Sequence, residues 1–531
     1  MKKLLPFAIV ATAILPSYAH ENLDITVDIF SDSSLIFRYM DSINPGEDLS
    51  GYNLNDLQGQ SVIKIDGVYH MYFAKHNGTQ VHLATTEDLE VGPWIYVGVV
   101  LDKAVGAGLA NFDHIAAPDV RIAEEAPGRY IMLFHGQHYM GADATDRSGQ
   151  KEHMNFMAIS DDPTDFNDGV LLQPRKDGLL APVCISDGYA RAFKMNDDYF
   201  AIASRGEMFD IPEVFETVSR TGTYDAVDVS TLSSRKETTN FTRVPFPISS
   251  AYFEDLWGLT TSGGDKSLPN YFSHLNHGFV HQIGTSNFVD YFFWLKKAND
   301  PTYREMFRLV LELDENNNWV HDPLNTPQAV IGLSDVTHGD GANARSFGDP
   351  FYFRDNGHEY LLFGYEYEQA NSPGEGNIGL AKITRYYGDG SVWLDSDWDG
   401  QDNDADLDDD NDGIDDLTEE QFGLNPLNVD DAGADFDGDS QPNKTEILAG
   451  TDLNDASSQF RISSLVKDPV DGDIQIDWSA GSNRAFSIEY SENLVDWFPL
   501  PGASAITSGS GFTDTTVVEG QPRFYRVILN E

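Results

Sequence analysis

The sequence predicts an all-β chain: a five-bladed β-propeller, then an Asp-rich segment, then a small C-terminal β-sandwich. Three observations predict it. One strand–turn–strand signal recurs five times between residues 62 and 365. Residues 395–446 carry 17 Asp and 3 Glu against a single Lys. Beyond residue 461, apolar and polar residues alternate again.

The five signals are hairpins in which a tight polar turn joins two strands. The first is Val62–Ile65, a turn at Asp66-Gly67, then Val68–Phe73. The second is Asp119–Ile122, Gly128, then Tyr130–Phe134. The third is Tyr189–Phe193, Asn196-Asp197, then Tyr199–Ile202. The fourth spans 278–295 with Phe292-Phe293-Trp294 in its second strand. The fifth is Asp349–Phe353, Asn356-Gly357, then Tyr360–Phe363. Spacings of about 57 to 90 residues leave room for four strands per repeat, the content of a propeller blade. An irregular β-sandwich with coincidental hairpins is the alternative.

The first residues read as an export signal: Lys2 and Lys3, an apolar run from Leu4 to Leu15, and a small-residue cleavage site at Ser17-Tyr18-Ala19. That run is short for a membrane span, and no other long apolar run follows. The expected organisation is a signal peptide over 1–19, the propeller over 20–388, the acidic segment over 389–460 and the sandwich over 461–531. The expected location is secreted: extracellular, periplasmic or cell-surface. With 531 residues the chain is long enough for several cores. A formal net charge of −52 argues against nucleic-acid partners, which need basic patches. The single cysteine, Cys184, excludes an intrachain disulfide and reads as a small buried residue.

In the acidic segment the spacing is that of a twelve-residue calcium loop, which supplies oxygen ligands at alternate positions and a Glu at the twelfth. Asp408, Asp410 and Asp412 stand at positions one, three and five, and Gly413 at six. Ile414 offers its carbonyl at seven, Asp416 stands at nine and Glu419 at twelve. A second loop reads Asp435, Asp437, Asp439, Gln441, Asn443 and Glu446, with Ser440 where glycine is usual. A weaker third set is Asp395, Asp397, Asp399, Gly400 and Asp406. Ca2+ is the expected cofactor, and a disordered acidic linker is the alternative. The segment resembles thrombospondin type 3 repeats, including Gly423-Leu424-Asn425-Pro426 and Gly450-Thr451-Asp452. The resemblance implies a stiff spacer.

In a propeller the first strand of each blade lines the axis, so polar residues at the starts of those strands are site candidates. They are Asn53, Asn55 and Asp56; Asp113, His114 and Asp119; Asp187 and Arg191; His274, His277 and His281; and Arg345 and Asp349, with Glu366 and Glu368 following the second strand of the fifth blade. Carboxylates from separate blades suit glycoside hydrolysis, in which one acid protonates the leaving oxygen and another activates water or attacks the sugar. Tyr139, Trp257 and Tyr271 would suit stacking on sugar faces. Asp119 and Asp349 also fit a plainer role, bonding loop amides. His76, His114, His135 and His138 read as polar lining or as a metal site.

Residues 50–385 resemble the five-bladed glycosidases of glycoside hydrolase family 43. The marks are Ser61–Lys64 with Gly67–Phe73, Ala84–Leu89 with Gly92-Pro93-Trp94, Ala117-Pro118-Asp119-Val120, and Gly348-Asp349-Pro350. The resemblance implies a glycosidase; the expected function is a secreted enzyme acting on plant or algal polysaccharide, inverting, with Asp56, Asp187 and a third acid among Glu254, Glu366 and Glu368. His76, His114, Asp119, Arg191, His277, His281 and Asp349 are the implied substrate-binding residues. Three departures stand out. The place of the family's base Asp reads Gln58-Gly59-Gln60-Ser61; Gly188 replaces a Pro after Asp187; and His277 and His281 occupy the stretch expected to hold the acid Glu. They keep open a rival reading, a non-catalytic glycan-binding propeller on a calcium-stabilised stalk. In the C-terminal stretch Trp478, Tyr490, Trp497 and Tyr525 read as core residues rather than a sugar platform. The domain's role in adhesion, sorting or cell-surface attachment stays open.

Overall fold

The computed structural model describes residues 24–29; 57–139 apart from 76–77, 107–108, 110–111, 124–125 and 127; 151–211 apart from 175–179, 183, 188–189, 196–197 and 204–206; 243–244; 272–397 apart from 283–287, 298–304, 314–318, 321–326, 337–343, 356, 370–371 and 388; 399; and 401–530 apart from 481–483 and 508–510. The chain divides into two compact units, Met1–Trp393 with Trp398–Gly400, and Leu394–Asp397 with Gln401–Glu531.

The first unit is all-β. Strand β1 (Asp24–Ile29) is followed by β2 (Leu57–Ile65), β3 (Val68–Lys75), β4 (Gln80–Thr86) and β5 (Ile95–Asp102), which form the first sheet. β6 (Phe112–Ile122), β7 (Tyr130–Tyr139) and β8 (Lys151–Ser160) form the second, completed after a short hairpin, β9 (Leu172–Pro174) and β10 (Leu180–Pro182), by β11 (Cys184–Asp187). The third is β12 (Arg191–Met195), β13 (Asp198–Ala203), β14 (Glu207–Ile211) and β15 (Arg243–Val244). The fourth is β16 (Phe272–Gln282), β17 (Phe288–Lys297) and β18 (Met306–Leu313), with β19 (Trp319–Val320) and β20 (Gln328–Ile331) both on β18. The fifth is β21 (Ala344–Asp355), β22 (His358–Gln369), β23 (Ser372–Tyr386) and β24 (Val392–Trp393). Each expected hairpin supplies the first two strands of one sheet.

The first strands of the sheets meet. β2 packs against β6 and β21, and β16 packs against β12 and β21. β6 reaches β12 through hydrogen bonds from Arg191 and Ala192. Five sheets joined this way through their first strands form a five-bladed ring.

Two features beyond the hairpins close it. β1 pairs antiparallel with β23, Asp24 opposite Tyr386 through to Ile29 opposite Ala381, so both ends of the unit share the fifth sheet. Its alternation sets Ile25, Val27 and Ile29 against the core around Leu361, Leu380 and Ile383. β24 adds to the same sheet, and Trp393 is buried with Phe288 and Tyr387. The unit therefore continues past the Tyr387–Gly390 break to Trp393. Among the described residues no helix is long and apolar enough to cross a membrane.

In the second unit two short helices follow the acidic loops, α1 (Asp416–Phe422) and α2 (Asn443–Ala449). Asp415 caps α1 by accepting from the Thr418 amide, and Gly423 and Gly450 end the helices in the left-handed region, where glycine carries no Cβ penalty. Ile414, Leu424, Ala432, Ile447 and Leu453 form a small core beneath them. Beyond it β25 (Arg461–Lys467), β26 (Ile474–Ser479) and β29 (Gly511–Asp514) make one sheet, and β27 (Ala485–Ser491), β28 (Trp497–Pro499) and β30 (Phe524–Asn530) another. The two enclose Ile476, Trp478, Phe486, Ile488 and Leu500. Trp478 is core, as expected. Tyr490 and Trp497 lie under the guanidinium groups of Arg523 and Arg526, at 3.9 and 4.5 Å from the ring centres.

Candidate functional site

The first strands of four sheets carry the same irregularity. One extra residue interrupts the ladder between Gln58 and Ser61 in β2, Ala116 and Asp119 in β6, Asn276 and Phe279 in β16, and Gly348 and Phe351 in β21. Gly59, Ala117 and Asp349 occupy corresponding places in these bulges. All three have left-handed backbone, with φ of 63°, 48° and 50°. Such a conformation is cheap for glycine and costs about 1–2 kcal/mol for alanine or aspartate. Strain is thus concentrated at one level of the ring, where β-bulges re-aim side chains.

Side chains lace neighbouring blades at this level. Asp349 Oδ2 of the fifth blade accepts from the Gly59 amide of the first at 2.9 Å, and Gln60 Nε2 donates to the Asp349 carbonyl at 2.7 Å. Ser61 Oγ of the first accepts from the Val120 amide of the second at 3.0 Å. Asp119 Oδ2 of the second accepts from the Ala192 amide of the third at 2.5 Å. Ser61 and Asp119 each directly follow their bulge and play the same part. Arg191 donates from Nη1 to the Pro118 carbonyl at 3.0 Å and stands 4.0 Å from Asp119 Oδ1. Burial raises the Asp119 carboxyl above its ordinary value, against the pull of Arg191. Asp119, Arg191 and Asp349 are all buried. For Asp119 and Asp349 the amide-bonding role is the one their described bonds show.

His114 is also buried, with Nε2 3.1 Å from Nε2 of buried His135 on the neighbouring strand. Of the four histidines considered together, these two meet; His76 lies outside the described residues.

Asp56 and Glu254 also lie outside them, as does the expected export signal. For Asp187, Glu366, Glu368, His277 and His281 only the backbone is described. Asp187 is the last residue of β11, the outer edge of the second sheet, opposite Met154. Met154 pairs with Gly136, and Gly136 with Ile115. This chain of partners sets Asp187 at the level of the start of β6, on the outermost strand of the second sheet and directly before β12, the first strand of the third, as expected. Glu366 is opposite Ser346 at the start of β21, and Glu368 lies two residues further along β22, past Tyr367, which is opposite Ala344. His277 is within the β16 bulge, and His281 is opposite Asp290.

In the second unit the two acidic loops repeat each other 27 residues apart. The position-six amide bonds the position-one carboxylate in both: Gly413 to Asp408 Oδ2 at 3.0 Å, and Ser440 to Asp435 Oδ2 at 2.8 Å. The amides at positions five and seven likewise bond the carboxylates two residues before them. Asn411 and Gly438 are left-handed at position four, and Gly413 and Ser440 at position six. Ser440 takes the glycine conformation expected there despite its Cβ.

The carboxylates at positions one, three and five converge in each loop, ligand atoms within 4.8 Å of one another. Asp412, Glu419 and Asp431 form a further such group. Buried oxygens without a protein partner belong to both loops: Asp408 Oδ1, Asp410 Oδ2, Asp412 Oδ2 and both of Glu419, then Asp437 Oδ2, Asp439 Oδ2 and Glu446 Oε2. Burial, reinforced by Asp410 and Asp412, pushes the Glu419 carboxyl up to about 8; burial and neighbouring acids raise Asp410 to about 6. A cage of hard oxygens with unmet charge fits a divalent cation of the calcium class.

Three expected ligand side chains are engaged elsewhere. Asp416 Oδ1 accepts from the Asp409 amide at 2.9 Å, and Asn443 Oδ1 from the Phe436 amide at 3.2 Å. Gln441 Oε1 accepts from the Phe460 amide at 3.0 Å, which ties the second loop to the sandwich. The Ile414 and Gln441 carbonyls remain the backbone positions expected of such loops. Sequence spacing missed Asp431, which lies outside the twelve-residue window. It also missed the shared role of Ser61, whose bond to the Val120 amide depends on how two blades meet.

No family model matches the chain, and no curated protein matches it. Among solved structures the chain is similar to a thermostable family-43 glycoside hydrolase (12% identity, 64% of this chain and 93% of that one, TM-score 0.38). It is likewise similar to an endo-1,4-β-xylanase from Bacteroides thetaiotaomicron (12%, 64% and 95%, 0.38) and an α-L-arabinofuranosidase from Lactobacillus brevis (12%, 64% and 93%, 0.36).

Proposed function

We propose that the first unit is a secreted glycoside hydrolase acting on a plant or algal polysaccharide by paired-carboxylate, inverting chemistry, carried on a calcium-stabilised stalk. The observation that supports it is strand register. Asp187, Glu366 and Glu368 stand at the level of the first-strand starts, although they lie far apart in the sequence. An inverting pair needs carboxyl groups about 6.5–9.5 Å apart, one protonating the leaving oxygen and one activating water. Asp56, directly before β2, and Asp187 are the acids we assign first, with Glu254, Glu366 or Glu368 as the third. Asp119, Asp349 and Arg191 hold the blades that carry them in register.

Asp187→Asn in the purified full-length protein, assayed on arabinan, xylan, fructan and algal galactans, is expected to lower turnover by two or more orders of magnitude with an unchanged melting curve. Undiminished turnover removes Asp187 from the site.

One observation favours the second reading, a glycan-binding propeller without catalysis. Gly59 occupies the bulge place that Asp349 fills in the fifth blade, and a Cβ there would overlap the Ala117 backbone. The first blade therefore cannot present an acid from that bulge. Retention on immobilised polysaccharide without release of reducing ends supports this second reading.

In the second unit Asp408, Asp410, Asp412 and Glu419, and Asp435, Asp437, Asp439 and Glu446, would hold Ca2+. The bound ion would neutralise the loops and stiffen the segment. Export, with surface association through the sandwich, completes the proposal.

A further inference from the structure

We infer that the two acidic loops are unequal, and that Asp431, outside both, is an additional ligand that makes the first a tighter divalent-cation site than the second. This rests on the calcium reading above and concerns how the sites differ.

The 27-residue repeat extends past the loops and supplies the comparison. The Asn425 amide donates to Asp431 Oδ2 at 2.8 Å, and 27 residues on the Asp452 amide donates to Ser458 Oγ at 3.0 Å. Both side chains cap the same turn. Only Asp431 has a second oxygen to offer: Oδ1 is buried without a protein partner, and the carboxylate lies within 4.8 Å of those of Asp412 and Glu419.

A second difference acts the same way. Glu419 is fully buried, and neither of its carboxylate oxygens has a protein partner, so both are available to one ion. Its counterpart Glu446 accepts from Thr451 Oγ1 at 3.1 Å through Oε1, leaving one oxygen unpartnered. Leu424 stands at the repeat position of Thr451 and has no hydroxyl to donate. The first site thus gathers Asp408, Asp410, Asp412, Glu419 and Asp431, one carboxylate more than the second. Calcium affinity in loops of this kind is set by ligand charge and site rigidity. Lys444 Nζ bonds the Asp412 carbonyl at 2.7 Å and holds the first loop to α2.

The test is calorimetric titration of the metal-stripped full chain with calcium chloride, comparing the unmodified protein with Asp431→Ser, Asp431→Asn and Glu446→Gln. The serine variant keeps the turn cap as Ser458 does; the asparagine variant keeps shape and acceptor. Two resolved affinities are expected. Both Asp431 variants should weaken the tighter roughly tenfold or more and spare the weaker, whereas Glu446→Gln should weaken only the weaker. Equal affinities in the unmodified protein, or Asp431 variants that leave the tighter site unchanged, overturn the assignment while calcium binding stands. No calcium uptake by the unmodified chain overturns the calcium reading itself.

Discussion

Arg385 of β23 holds Nη2 2.8 Å from Asp290 Oδ2 of β17, a fully buried ion pair joining the fifth and fourth blades. Arg385 also grips Glu359 with Nε and Nη2, both at 2.7 Å, and Arg308 Nε holds the other oxygen of Asp290 at 2.6 Å. Tyr352 completes the cluster by donating to Glu359 at 2.9 Å. Burial works against the Arg385 charge, but Glu359 and Asp290 outweigh it. Two cations and two carboxylates balance away from water. Removing one leaves an uncompensated buried charge, at a cost of about 3–5 kcal/mol. Arg385→Met is therefore expected to lower the unfolding free energy of the first unit by that amount. A loss under about 1 kcal/mol would show that the pair does not hold the blades together.

Gly59 is closed to any side chain by its left-handed φ and by the Ala117 backbone beside it. Gly59→Ala combines backbone strain with overpacking, about 2–5 kcal/mol together. Gly59→Asp, which would install an acid in the first blade, is expected to cost at least as much and to create no activity. Thermal melting of both variants checks this; a Gly59→Asp protein melting like the unmodified chain would contradict the packing described.

The fold was legible in the sequence where pairing is local. Turns such as Asp66-Gly67 force adjacent strands together, and both residues have the positive φ that such a turn requires. Long-range pairing left no such mark. Asp24–Ile29 alternates like any strand, and nothing in it names β23, more than 340 residues on, as its partner. Asp119 illustrates the limit at the site. Its place beside a first strand was readable, but its bond to the Ala192 amide depends on how two blades meet. In the acidic segment the carboxylate spacing is contiguous, so the loops were readable, whereas the carboxylate of Asp431 comes near those of Asp412 and Glu419 only through the fold of the intervening turn.

His82 of β4 is buried beneath Phe73, with Nδ1 2.9 Å from the Tyr96 hydroxyl. Burial lowers its pKa from the ordinary 6.5 to about 4. The unfolded chain therefore binds a proton before the folded one does. The stability this neutral histidine contributes is complete above pH 6.5 and falls as the pH drops from 6.5 to about 4, by about 3 kcal/mol in all. Denaturation midpoints of the first unit measured across that window should decline, and His82→Gln should flatten the decline. A His82→Gln profile parallel to that of the unmodified protein would assign the acid sensitivity to other groups.

Calcium removal should act on the second unit through its helices. α1 and α2 have seven residues each, well short of the ~12–15 that an isolated helix needs in water. They depend on the small core of Ile414, Leu424 and Ile447 and on loops whose carboxylates crowd one another. A cation that binds only the folded loops adds about 2.7 kcal/mol per site at one hundred times its dissociation constant. Glu419 and Glu446 are fully buried in the folded segment and are poor targets for a Glu-specific protease. With calcium in excess, cleavage after these two residues should be slow; with chelator, they should become early sites, and readdition of calcium should restore protection. Digestion patterns that are the same with and without chelator would remove the cation from the stability of the second unit.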